Sequence, residues 1–242
     1  MGYDFTVSLA GLTVAIHSRF PLAKHFCADY LSEGTPELEV SVPMERIRAE
    51  AETMAIPPEQ AELYALHTLI SEQLPLYDRV MCHGATISYR GKAYLFTAPS
   101  GTGKSTHIRL WHQCIGDAVE IVNGDKPFLQ VGAQETLAYG TPWCGKEGWQ
   151  RKVAIPLGGI CLLKRGETDR IERIEPERYG LELIQQFYYP RNGVALRRSM
   201  QLLKRIFQQV PCYVLHCTPT EHAVSVAFPA MTGDEFKEKR LI

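Results

Sequence analysis

Residues 93–106 read Ala-Tyr-Leu-Phe-Thr-Ala-Pro-Ser-Gly-Thr-Gly-Lys-Ser-Thr. An apolar run opens the stretch, a turn of small residues follows, and Lys104-Ser105-Thr106 starts a segment with helical spacing. This order matches the phosphate-binding pattern Gly-x-x-x-x-Gly-Lys-[Ser/Thr], with Ala98 standing at the first glycine. Each residue type has a physical reason. Gly101 and Gly103 can take positive φ and let backbone N–H groups converge on a phosphate. The N-terminus of the following helix adds unpaired N–H groups and a partial positive charge. Lys104 can reach phosphate oxygens, and the Ser105 hydroxyl can ligate Mg²⁺. Pro99 biases Ala98 towards an extended conformation, which suits the end of a strand. The same letters also suit an ordinary Gly/Ser/Thr turn, but a strand before and a helix after are the context the motif requires. Nucleotide binding at Ser100, Gly101, Thr102, Gly103, Lys104, Ser105 and Thr106 is the expectation.

The neighbouring segments extend this reading. Strands are expected at 85–89 and 93–97 with Arg90-Gly91 as their turn, then a helix over 104–115 and a strand at 119–122. That strand runs into Asn123-Gly124-Asp125-Lys126-Pro127, which places Asp125 where a phosphate loop needs an acid. Asp125 can hold Mg²⁺ or accept a proton from an attacking hydroxyl. It can also be a plain turn residue, because Asn-Gly-Asp turns readily. Further strands are expected at 128–131, 137–139, 155–163 (interrupted at Gly158-Gly159) and 212–216, with helices over 177–188 and 195–208. The segment 140–152 carries glycines, Trp143, Trp149, Lys146, Arg151 and Lys152. It suits either a mobile loop closing over an acidic ligand, with Arg151 neutralising the transferred charge, or an exposed loop with two half-buried tryptophans. The charged tail at 234–240 is expected to be solvated.

The first third is different in texture. Phe5, Val7 and Leu9 alternate against Leu12, Val14 and Ile16 around Ala10-Gly11, a strand follows at 38–42, and leucines at helical spacing mark 59–74. The expected division is a small N-terminal α+β lobe over 1–80 and a phosphate-loop core over 81–242.

Composition sets the outer limits. The 242 residues are 45% hydrophobic and 22% charged, which excludes a disordered chain, a collagen-like fibre and a coiled coil. Lys plus Arg number 26 against 27 acids, so no basic excess points to nucleic acid. No apolar run is long enough to cross a bilayer, and the start lacks the basic region of a secretory signal. The seven cysteines form no Cys-x-x-Cys pair, which suits reduced, buried thiols in a cytoplasmic protein.

The stretch from Ser100 to Thr106 resembles the phosphate loop shared by HPr kinase/phosphorylase and phosphoenolpyruvate carboxykinase. His83-Gly84 before the strand, Arg90-Gly91 at the turn, and Gly124-Asp125 at the place of that family's acid pair extend the resemblance over about 81–165. It implies an α/β fold with a twisted mixed β-sheet of that type, ATP and Mg²⁺ as ligands, and a possible homo-oligomer. It also implies a part for His83 near the phosphates. The chain departs from the family at Gly124, which replaces the first acid, and in 140–152, where the family's glycine- and arginine-rich signature is not recognisable. The expected activity is transfer of the γ-phosphoryl group of ATP to a serine-like hydroxyl of a small protein, peptide or metabolite. Lys104 and the loop hold the phosphates, Ser105 and Asp125 the metal, and Asp125 is the base. A non-catalytic ATP-binding module and a carboxykinase acting on a small carboxylic acid are the alternatives.

Overall fold

The computed structural model describes residues 2–237, and for 176–179 the backbone alone. Tyr3–Leu9 (β1) and Leu12–Ser18 (β2) pair as a hairpin in which Phe5, Val7 and Leu9 oppose Ile16, Val14 and Leu12. Ala10 and Gly11 both take positive φ, as a two-residue turn matched to strand twist requires. Leu22–Phe26 (α1), Leu38–Ser41 (β3), Met44–Met54 (α2) and Pro58–Gln73 (α3) follow, and β3 adds to β2 in parallel. Their core of Val7, Leu12, Ile16, Ile47, Leu66 and Ile70 also takes in Met81, Phe128 and Trp143 from later in the chain.

The remaining elements are Arg79–Met81 (β4), Gly84–Tyr89 (β5), Lys92–Thr97 (β6), Lys104–Ile115 (α4), Val119–Asn123 (β7), Phe128–Val131 (β8) and Thr136–Tyr139 (β9). Ala154–Arg165 (β10), Arg170–Ile174 (β11), Pro176–Ile184 (α5), Gly193–Gln209 (α6), Cys212–Cys217 (β12) and Glu221–Thr232 (α7) complete the order. The fold is a mixed α/β arrangement. Its large sheet runs β4-β8-β9-β10-β6-β5-β7, with β12 beside β10 and β11 beside β12. Strands β6, β10 and β12 are parallel, and the others pair antiparallel. Alternation along β6 and β10 makes both faces apolar. Leu95, Ile160 and Leu162 meet Leu202, Leu203 and Ile206 of α6. Phe96, Cys161 and Leu163 meet Trp111 of α4 with Val224 and Phe228 of α7. Two buried faces explain why these strands read as near-continuous apolar runs.

Three expectations need correction. Gly158-Gly159 does not interrupt β10: the strand is continuous, and the register against β6 slips by one residue between Leu157 and Gly159, a β-bulge. The helix expected over 177–188 ends at Ile184. Of the tail, 238–240 lie outside the described residues, but Asp234 is tied down, its carboxylate accepting from the Tyr89 hydroxyl at 2.9 Å and from Arg90 Nη1 at 2.8 Å.

Candidate functional site

Strand β6 ends at Thr97 and the chain enters the loop through Ala98, which is buried and has no positive φ, so a methyl group is tolerated there. Thr102 closes the turn, its N–H and Oγ1 both donating to the Pro99 carbonyl at 3.3 and 2.9 Å. Gly101 has φ +77° and Gly103 φ +115°, and a Cβ on either would meet nothing within 4 Å. These glycines are needed for backbone conformation, and the space around them is open. Gly103 caps α4, whose first N–H groups have no intrahelical acceptor. Lys104 is 8% exposed and its Nζ donates to the Ala98 carbonyl at 2.9 Å, folded onto the loop it follows. Burial lowers its pKa, and the negative charge of Asp125 pulls the other way. Ser105 and Thr106 are half-buried on the first turn.

Asp125 reaches this region by backbone ties. Its carbonyl accepts from Gly84 N at 2.8 Å, and Gly84 pairs with Thr97, the last residue of β6. Thr97 Oγ1 donates to the His83 carbonyl at 2.7 Å, and His83 N donates to the Gln186 carbonyl at 2.7 Å. The His83 imidazole is thus held with Nε2 3.3 Å from Asp125 Oδ1, while Lys126 Nζ pairs with Oδ2. Burial raises the Asp125 carboxyl pKa, but hydrogen bonds from His83 and Lys126 and the Lys126 charge outweigh it and hold the group at about 2. The turn itself is made by Asn123. Its side chain is fully buried, accepts from the N–H groups of Asp125 and Lys126 at 3.0 and 2.8 Å, and donates to the Thr141 carbonyl at 3.0 Å.

Gly124 has a different reason to be glycine. A Cβ there would lie 2.4 Å from the Cys144 carbonyl oxygen, and its N–H donates to the Trp149 carbonyl at 2.9 Å. The position has no room for an acid, so the single acid at 125 is a property of the fold here.

The segment 140–152 is strapped down. Trp143 is 7% exposed, stacks on Phe128 at 6.2 Å and donates to the Leu63 carbonyl at 3.2 Å. Gln150 bridges to Tyr30 and Asp29 at 2.6 and 2.7 Å, while 145–148 remain exposed. Arg151 is not brought to the loop. Its guanidinium pairs with Glu120, in a hollow shared with Arg109, His112 and Trp149.

Four contributors were missed in the sequence. Asn123 and Lys126 flank Asp125 in its turn, Gln186 lies in the turn just after α5, and Arg165 Nη2, at the end of β10, donates to the Gly101 carbonyl at 2.6 Å. A buried orphan lies behind the dyad. His67 is 6% exposed, its Nε2 has no partner among the described residues, and burial with the nearby Lys126 charge lowers its pKa to about 3. His107 and His112 have other duties: His107 Nε2 accepts from Trp111 Nε1 at 2.9 Å, and His112 Nδ1 lies 2.8 Å from the Val119 carbonyl.

No protein-family model matches the chain, and no curated protein matches it. Among solved structures it is similar to the Hpr(Ser) kinase/phosphatase from Coxiella burnetii, at 10% identity and a TM-score of 0.28, over 53% of this chain and 94% of that one. A likeness that distant leaves the site to be judged on this chain's own residues. No described helix is long and apolar enough to cross a membrane.

Proposed function

We propose that the chain is an ATP-dependent kinase that transfers the γ-phosphoryl group to a serine-like hydroxyl of a small protein, peptide or metabolite. The observation that carries this reading is the juxtaposition of Lys104, at the mouth of an open loop on a helix N-terminus, with the Asp125–His83 pair fixed to the same strand end. Backbone N–H groups of the loop, the α4 terminus and Lys104 bind the phosphates. Among the described residues no three His, Cys, Asp or Glu side chains gather to hold a metal alone. Mg²⁺ takes one or two protein oxygens plus substrate phosphates, and Ser105 and Asp125 are the residues that would hold it. Held by these two residues, the ion would supply positive charge against the negative charge developing on the phosphoryl oxygens.

Asp125 orients the acceptor hydroxyl. A carboxylate held near 2 is a weak base, but phosphoryl transfer through a loose transition state asks more for positioning than for early deprotonation. His83 positions that carboxylate, and Lys126 balances its charge. Incubation with γ-labelled ATP, Mg²⁺ and a fractionated cell extract should label an acceptor. Asp125→Asn should lower that transfer about a hundredfold or more and weaken ATP binding much less. Transfer by the variant at the wild-type rate would leave only a non-catalytic ATP-binding module.

A further inference from the structure

The parallel strands β6, β10 and β12 deliver Thr97, Arg165 and Cys217 to one end of the sheet. In open α/β sheets, ligands settle in the crevice outside the carboxyl ends of such strands. Here that crevice is a hollow of about 420 Å³, within the range of small-molecule sites. It begins at Gly101–Gly103, passes Thr106 and Leu110 of α4, and ends at 217–219, the last residue of β12 and the two after it.

Its character changes along that path. The near end is loop backbone and helix terminus, which suits anions. The far end is walled by Leu110, Leu163, Cys217 and Pro219, which suits a flat apolar ring. The rim there is preformed. Thr218 N and Oγ1 donate to Asp169 Oδ1 at 2.6 and 3.0 Å, and His222 Nδ1 lies 2.7 Å from Asp169 Oδ2. Arg165 marks the boundary, holding the Gly101 carbonyl. A smaller hollow of about 280 Å³ lies against Pro99 and Thr102, with Lys164, Glu182, Gln185 and Gln186 in its lining. Gln186 is the residue that holds His83 N, so this polar side belongs with the Asp125–His83 pair.

We propose that the far end of the larger hollow is a nucleobase subsite, which takes the aromatic base of a nucleoside triphosphate whose phosphates lie on residues 100–106. This rests on the nucleotide reading above. It adds the position of the base, and it makes the phosphoryl donor a nucleotide in preference to an inorganic polyphosphate.

A native probe sits in the wall. Six of the seven cysteines are buried and Cys217 alone is half-buried. Burial, helped by the Asp169 charge, pushes its thiol up to about 11, so N-ethylmaleimide is applied to the intact wild-type protein at about pH 9 with mass readout. ATP or inorganic tripolyphosphate is added with Mg²⁺, each also measured for its shift in melting temperature. With ligand at about ten times its Kd, ATP should slow modification of Cys217 about tenfold. Tripolyphosphate should raise the melting temperature yet leave the rate within about twofold. Cys217→Phe, which fills the far end, should weaken ATP about tenfold or more and leave tripolyphosphate binding unchanged. If that variant melts early, the wild-type rates decide alone. A melting shift with ATP but no protection, or equal protection by tripolyphosphate, overturns the subsite while the loop reading stands. No shift with either ligand overturns both.

Discussion

Gly101 and Gly124 stand in neighbouring parts of the candidate site and are glycine for opposite reasons. At Gly101 the backbone demands positive φ, and beyond the missing side chain there is open space. At Gly124 the backbone needs nothing special, and the missing side chain is where the Cys144 carbonyl sits at 2.4 Å. The loop has kept room that none of the described residues fills, whereas the acid turn has been packed against 143–149. On the proposed nucleotide reading, the phosphates enter that room and Asp125 faces them from a fixed position.

Substitution by alanine should separate the two. Gly124→Ala should cost about 3 kcal/mol or more, because the intruding contact is backbone and the turn is held from both sides. Gly101→Ala should cost only about 1–2 kcal/mol, the strain of a left-handed residue in free space, and should instead impair phosphate binding. Chemical denaturation of both variants checks this, and equal losses would erase the distinction. Gly124→Asp, which the sequence suggests as a way to restore an acid pair, should fail to fold well for the same reason.

A smaller effect concerns two buried histidines, His67 behind the acid turn and His107 on α4. His67 and His107 are held at about 3 by burial, against an ordinary 6.5. Between those values the unfolded chain binds protons that the folded one refuses. The stability they allow is complete above pH 6.5 and declines as pH falls towards 3. Melting temperature against pH should show this slope. His67→Phe should make it shallower and leave the part that His107 carries, with the melting temperature at neutral pH changed by no more than a few degrees, since the lost Nε2 had no partner among the described residues. An unchanged slope would place the titration elsewhere. The smallest effect is expected at Arg151: Arg151→Ala breaks an exposed pair with Glu120 and should leave ATP affinity within about twofold.

The loop was legible because its logic is local: strand, glycines, Lys104-Ser105 and helix lie within one short stretch. Asp125 was legible as the acid of a turn, and the turn's own chemistry, Asn123 folding over it, is a local signal too. Arg165 and Gln186 were not legible. They arrive through the parallel pairing of β10 with β6 and through the Gln186–His83 backbone bond, links of long sequence separation. Arg151 was misleading because a strand neighbour's side is set by register, and the bridge between Asn123 and Gln150 sends the next residue to Glu120. Gly124 read as a lost acid only while the Cys144 carbonyl was out of view. Helix α7 escaped notice because it is apolar around much of its surface and carries Pro229 inside it, so no clean period shows. Strand β11 is charged and mostly exposed, and its one strand partner among the described residues is β12.

The claim on which the rest depends is that residues 98–106 hold nucleotide phosphates, and the thermal shift with Mg-ATP tests it most directly. Only the folded state binds the ligand, so at about a hundred times its Kd the wild-type protein should gain about 2.7 kcal/mol and melt several degrees higher. Lys104→Ala should melt near the wild type without ligand and lose most of that shift when Mg-ATP is added. A full shift in the Lys104→Ala protein would contradict the account, because the nucleotide would then be bound away from the loop.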